Sequence, residues 1–312
     1  TYLPYVRSKD GHIANWTRIL RGILPASKLF RGLNIDLVHC NDRRINRTWA
    51  PWAKAAGLPM IWHQRTVWSG GRHMTFSLRF ASGIISISNF VAQSIPAISI
   101  PHKTIYNPVS IESRNKEICA RNLKQDLDCP DDTKLIGCFA NAQRWKRPDT
   151  VFKAALLLNE QNTSRIKVVW CGDDRDGELS RLQKEHGHCC PVLKIPFKAD
   201  VSSVMAGCDC VLAASEEEPF GRTLAEAMSL GVPVVASNAG GHCEIIDHEK
   251  NGLLFPVGDA GSCAAAIVRL LKKDGLRMNL ISAGMATAKR FDPIQQAGQV
   301  YNFYNQLLGL DN

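Results

Sequence analysis

The chain has 312 residues, 45% of them apolar, enough for two domains with a sizeable core in each. No run approaches the roughly twenty apolar residues of a membrane-spanning helix. Eleven cysteines at irregular spacings do not make a disulfide framework, which favours a reducing, cytoplasmic setting. The net charge of +9 sits at one end: residues 1–80 carry 13 Lys/Arg against 3 Asp/Glu, and the other 232 carry 25 against 26.

The opening "TYLPYVRSKDG" is neither a signal peptide nor an initiator-methionine start, and an N-terminal part is expected to be missing. The basic segment holds five of the seven tryptophans, Trp16, Trp49, Trp52, Trp62 and Trp68. It reads as a solvated basic face over a Trp-containing core. Alternatively it is a surface for an acidic acceptor or for anionic lipid headgroups, which would give peripheral membrane contact. No recognition motif accompanies the charge, so nucleic acid is not an expected partner. Within this segment "RILRGILPASKLFR" (18–31) has the make-up of a basic amphipathic membrane helix. Pro25 should interrupt it, and a sheet-covering helix is the expectation.

Apolar runs of strand length follow: "IDLVHCN" (35–41), "PMIWHQ" (59–64), "GIISIS" (83–88) and "KTIYN" (103–107). After a polar stretch come "KLIGCFA" (134–140), "RIKVVWCG" (165–172), "PVLKI" (191–195), "CDCVLAAS" (208–215) and "VPVVAS" (232–237). Continuous apolar runs suit strands buried on both faces of a parallel sheet, and the segments between them have helical length and spacing. The fold class expected is α/β, with two doubly wound parallel-sheet domains. Residues 1–109 would form the first, incomplete one, and 110–291 the second. "DPIQQAGQVYNFYNQLLGL" (292–310) reads as an amphipathic helix, and 292–312 is expected to pack back toward the first domain.

Ligands in open parallel sheets bind beyond the carboxyl ends of the strands. The segment after "CDCVLAAS" continues "EEEPFGRTLAEAMSLGVPVVAS" (216–237). A helix from about Arg222 to Leu230 should stop at Gly231, and its first-turn amides near Arg222, Thr223 and Leu224 form an anion site. Glu226 shares a face with Thr223, about 4.5 Å further along the axis. Glu218 lies on the other side of the helix start. Two carboxylates flanking an anion site suit a hydroxyl–phosphate–hydroxyl ligand such as sugar, pyrophosphate and ribose. In isolation the same residues also read as a solvated acidic patch and an exposed helix residue.

The stretch resembles the E-x7-E region of the family-4 retaining glycosyltransferases, which have the two-domain GT-B fold. The matching elements are Glu218, Phe220-Gly221, Glu226-Ala227-Met228, "GVPVVAS", Gly240-Gly241 and Glu244. In the same order along the chain, "IYNPV" (105–109), "KRPD" (146–149), "VVWCGDD" (168–174) and "NGLLFPVGD" (251–259) resemble further family elements. The resemblance implies that Glu226 binds a nucleotide's ribose and Glu218 binds hydroxyls of the donor sugar. It places the amides of Phe220, Gly221, Arg222, Thr223 and Leu224 around sugar and phosphates. Lys146 would neutralise the leaving diphosphate, and Gly172, Asp173, Phe197 and Lys198 would line the nucleotide cleft. Family members carry an Arg about five residues before that Lys; here the position is Asn141, and Arg144 or Arg147 would substitute. His63, ending "PMIWH", stands where the family often has a His facing the sugar, although a strand-end His is also an ordinary structural donor. Arg65 is a weaker acceptor-site candidate.

The activity so implied is transfer of a sugar, with retention, from a nucleotide-diphosphate sugar to a glycan, lipid-linked or other acceptor. The sugar nucleotide is a co-substrate, and neither cofactor nor metal is expected. A nucleotide-sugar epimerase of GT-B-like fold and a non-catalytic nucleotide-sugar-binding protein remain as alternatives. "HGHCC" (186–190) with "CDC" (208–210) matches no ordinary zinc spacing, and "DDRDG" (173–177) lacks calcium-loop spacing.

Overall fold

The computed structural model describes residues 13–41, 43–110, 113–160, 165–186, 192–196 and 200–310. The chain divides into two compact units, Thr1–Asn107 with Ile294–Asn312, and Pro108–Pro293.

The first unit is built on a four-stranded parallel sheet, β1 (Val38–Cys40), β2 (Met60–Gln64), β3 (Gly83–Ser86) and β4 (His102–Thr104), in that spatial order. Helices α1 (Ile13–Gly32), α2 (Arg43–Ala55), α3 (Arg72–Leu78) and α4 (Asn89–Ser94) connect and cover it. Alternation along β2 serves two cores. Met60 and Trp62 join Ile19, Phe30 and Trp52, while Ile61 faces Ile85, Ile105 and Phe303. Phe303 comes from the returning C-terminal helix, Pro293–Leu308. α1 runs unbroken through Pro25, contrary to the interruption expected from sequence. Arg21 and Pro25 both lie on its exposed face. The Arg21 carbonyl that loses its helical donor can therefore be hydrated, and packing holds the rest of the helix. No described helix is long and apolar enough to cross a membrane.

The second unit has six parallel strands: β5 (Lys134–Phe139), β6 (Ile166–Cys171), β7 (Val192–Ile195), β8 (Cys210–Ala213), β9 (Val234–Ser237) and β10 (Leu253–Phe255). Their spatial order is β10-β9-β8-β5-β6-β7. The chain thus steps outward from β5 to β7, then returns to the other side of β5 with β8. The reversal leaves a crevice at the carboxyl ends of β5 and β8, where open sheets bind ligands. Helices α5 (Lys116–Asp126), α6 (Pro148–Glu160), α7 (Glu178–His186) and α8 (Val201–Ala206) precede α9 (Arg222–Ser229), which follows β8. After it come α10 (His242–Ile245), α11 (Ala260–Lys272) and α12 (Asp274–Ala288). Both faces of the sheet are covered: Ile136, Trp170 and Leu212 belong to one core, Leu135, Val169 and Cys171 to another.

β8 begins two residues later than the run "CDCVLAAS" suggests. Asp209 instead accepts the Leu135 amide at 3.0 Å and the Lys134 ammonium at 3.1 Å, closing the amino end of β5. Cys208 and Cys210 are buried thiols whose pKa burial pushes up. Residues 187–191, with the rest of the "HGHCC" motif, lie outside the described residues.

Candidate active site

Two loops meet at the β5/β8 crevice. The one leaving β5 makes a short turn at Arg144–Lys146, and Glu216 from the loop leaving β8 donates its N–H to the Trp145 carbonyl at 2.9 Å. This contact brings Lys146 Nζ to 2.6 Å from Glu218 Oε2, with side chains only 19% and 12% exposed. The ammonium also sits 4.1 Å from the centre of the Trp145 ring. Ser215 donates to the same carboxylate oxygen at 2.9 Å. Burial would push the Glu218 carboxyl up, but the Lys146 charge and the hydrogen bonds outweigh it and hold the pKa below the ordinary glutamate value. An ionised carboxylate and an ammonium therefore share a half-dry crevice.

α9 starts directly beside this pair. Its N-cap is Gly221 at φ 98°, and a Cβ there would come within 3.0 Å of the His242 ring. A side chain at this position would be strained as well as crowded. The Leu224 amide already donates to the Gly221 carbonyl at 2.9 Å, so the first-turn amides open to an anion narrow to Arg222 and Thr223. Thr223 Oγ1 donates to the Phe139 carbonyl at 3.3 Å, fixing the helix start to the end of β5. The Phe220 and Leu224 side chains are buried, Phe220 meeting Phe291 edge-on at 5.3 Å, so they anchor the turn.

Glu226 lies one turn further on, with Oε1 2.7 Å from Arg222 Nε. It borders a cavity of about 250 Å³ shared with Asn141, Gly172, Met205 and Thr223. Asp173, next in the chain to Gly172, is exposed, and its amide donates to Asn141 Oδ1 at 3.2 Å. Asn141, where the resemblance leads one to expect Arg, thus ties the loop after β6 to the loop after β5. Arg144 is exposed, and its amide is held by Asp176 at 3.0 Å. Arg147 grips Asp149 with two bonds of 2.9 Å and reaches Glu216 at 3.4 Å. In "DDRDG", Asp174 accepts the Leu179 and Ser180 amides at the start of α7. Phe197 and Lys198 lie outside the described residues.

One residue of the site escaped the sequence reading. His242, fully buried at the start of α10, places Nε2 3.8 Å from Glu218 Oε2. Gly241 makes this possible: its N–H donates to the Glu218 carbonyl at 2.7 Å, and a Cβ on it would meet Phe220 backbone atoms at 2.5 Å. The only signal in the sequence is a polar residue directly after a Gly-Gly pair.

In the first unit, His63 ends a hydrogen-bonded chain at the carboxyl end of the sheet. Tyr304 Oη lies 2.5 Å from His39 Nδ1, and His39 Nε2 lies 3.0 Å from His63 Nδ1. Burial, then the Arg65 charge and His39, hold the His63 pKa down to about 3. Arg65 donates to the side-chain carbonyls of Asn41 at 2.5 Å and Asn107 at 2.7 Å.

Comparison with known proteins fits this geometry. The family description "Glycosyl transferases group 1" matches residues 120–287. The D-inositol 3-phosphate glycosyltransferase of Corynebacterium jeikeium (strain K411) is 31% identical over 193 residues, 59% of this chain and 46% of that protein. The N-acetyl-alpha-D-glucosaminyl L-malate synthase of Bacillus anthracis is 26% identical over 208 residues, 66% of this chain and 54% of its own length. The chain thus spans about half the length of the curated relatives it matches. Among solved structures, Anabaena Alr3699/HepE in complex with UDP superposes with a TM-score of 0.80 at 25% identity, covering 93% of this chain and 82% of that one. Two Rossmann-like parallel-sheet units are the GT-B fold, and the match over residues 120–287 covers the crevice just described. The chain belongs to the group 1 glycosyl transferase family.

Proposed function

We propose that this chain moves a sugar from a nucleoside-diphosphate donor to a hydroxyl of a glycan or lipid-linked acceptor, with retention at the anomeric carbon. The observation that carries the reading is the Lys146–Glu218 pair, 2.6 Å apart at the sheet reversal and beside the amino end of α9. The donor's diphosphate would lie on the Arg222 and Thr223 amides and draw Lys146 away from Glu218. Glu218 would then accept sugar hydroxyls, and Glu226, bordering the cavity of about 250 Å³, those of the ribose. In the transfer step the bond from the anomeric carbon to the β-phosphate oxygen breaks, and a bond to the acceptor oxygen forms. The acceptor proton leaves to the departing phosphate. Negative charge grows on that phosphate, where Lys146 and the amides stabilise it in a crevice with little water. These groups would supply the stabilisation without a metal ion.

UDP is the first nucleotide proposed, because Alr3699/HepE was solved with it. The names of the relatives support a small polyol phosphate or hydroxy acid as acceptor equally with a glycan. The basic stretch 1–80 supports an anionic acceptor or an anionic membrane surface, and nine described cysteines, all free thiols, suit a reducing compartment. Calorimetric titration with UDP, GDP and ADP tests the reading. One diphosphate should bind, and Glu226→Ala should weaken it roughly tenfold to a hundredfold, about 1.4–2.8 kcal/mol. Unchanged affinity in the variant would remove Glu226 from the ribose site, and no binding by any of the three would overturn the donor site.

A further inference from the structure

His242 is the buried group of the crevice that donor recognition, as proposed above, leaves unused, and its proton position can be deduced. Ser237 Oγ donates its one proton to the Ser215 carbonyl at 2.5 Å. It therefore faces His242 Nδ1, 3.2 Å away, as an acceptor. The Ser237 carbonyl, 3.1 Å from the same nitrogen, can only accept. Two acceptors against Nδ1 fix the proton of the neutral ring there. Nε2 is left with a lone pair, buried, without a hydrogen-bond partner, and 3.8 Å from the Glu218 carboxylate. Lone pair against anion is an unfavourable contact, and a single proton would turn it into a charge-assisted one.

The surroundings decide when that proton is absent. Among the described residues two charged groups face the ring, Lys146 from the turn after β5 and Glu218 from the loop after β8. Ser215 and Ser237 add hydroxyls, the start of α9 contributes Gly221, Thr223 and Leu224, none of them charged, and Glu244 is the charged neighbour on α10 itself. Burial holds the His242 pKa down to about 4, Lys146 lowers it further, and Glu218 and the bond to Ser237 oppose them. With Lys146 in place the carboxylate already has its cation, and the imidazole stays neutral. The cavity between these residues, about 30 Å³, has room for a water molecule but not for a sugar.

We propose that His242 is the reserve cation of Glu218: when Lys146 is drawn to the donor's diphosphate, His242 takes one proton from solvent on Nε2 and holds the carboxylate in its place. The transferase reading above supplies what draws Lys146 away. Donor binding would then consume a proton, and affinity would fall as pH rises above the midpoint that His242 has in the complex.

The pairing is testable without any nucleotide. Carbon-13 histidine NMR would follow the His242 ring, assigned by its loss in His242→Asn or His242→Gln. In Lys146→Met its midpoint should rise by roughly 1–3 pH units, and Lys146→Met with Glu218→Gln should cancel the rise. A midpoint that ignores Lys146→Met, or rises equally in the double variant, overturns the pairing. Calorimetry of the wild-type chain with UDP, at one pH in buffers of different ionisation enthalpy, should show proton uptake that His242→Asn abolishes. UDP binding without uptake overturns the coupling. If UDP fails to bind, the same titration is made with GDP and ADP; failure of all three counts against the transferase reading instead, and the NMR comparison then decides the pairing by itself.

Discussion

The two units each bury histidine at the carboxyl end of a parallel sheet, yet surround it differently. In the first, Tyr304, His39 and His63 form a chain of neutral hydrogen bonds. In the second, His242 stands beside an ammonium and a carboxylate. The two links of this chain cost little to bury, although its last atom, His63 Nε2, is buried with no hydrogen-bond partner among the described residues. A buried ion pair is different, because desolvation offsets most of its attraction and an apolar pair of the same volume is often as stable. Lys146 and Glu218 are therefore poorly explained by stability, and well explained by a ligand that takes over both partners. The first unit's chain fits a scaffold that orients one ring.

The largest effect expected from this contrast is on turnover. Lys146→Met should lower the transfer rate by about a hundredfold to a thousandfold, because the charge it meets grows in the transition state. UDP affinity should fall much less, and an equal loss in both would reduce Lys146 to a simple phosphate ligand. Next comes acid stability. His63 and His242 are held near 3 and 4 in the folded chain, largely by burial, against 6.5 for the free side chain. Between those values the unfolded chain binds more protons. Stability should be full above about pH 6.5 and decline as pH falls toward 4, by on the order of 3 kcal/mol for each ring. Urea unfolding at pH 7.5, 6 and 5 would measure this, and His242→Asn should remove its share of the slope. A flat profile would mean that neither ring stays neutral. The smallest effect belongs to Tyr304→Phe, which cuts one end of the neutral chain. It should cost about 1 kcal/mol and leave UDP affinity unchanged. A large loss of affinity there would erase the distinction between the two histidine sites.

Much of the fold was legible because strands buried on both faces read as uninterrupted apolar runs, as "VVWC" and "VPVV" do. α9 was legible for local reasons: Gly221 at its start, Gly231 just beyond its end, and an amphipathic stretch between. Pro25 misled because its consequence depends on whether Arg21 faces water, which local sequence does not record. The start of β8 was misplaced because Asp209 serves a neighbouring strand. At the candidate site, Glu218 and Glu226 stood out by their spacing around a helix start, and Lys146 through the family resemblance. Asn141 looked like a missing charge and turns out to be a tether for the Asp173 loop. His242 was invisible for a similar reason, since Ser237, Glu218 and Lys146 come from separate loops that only the sheet order brings together.

The loops after β8 and β9 are stitched at three points: Ser237 to Ser215, Gly241 to the Glu218 carbonyl, and Gly241 against Phe220. Neither can drift alone. A substitution that moves one loop would be tolerated only in company with a change in the other, so the two should diversify as a single inherited cassette. Any attempt to graft a new donor preference onto this protein by exchanging the Glu218 loop would have to carry the Gly-Gly-His segment with it.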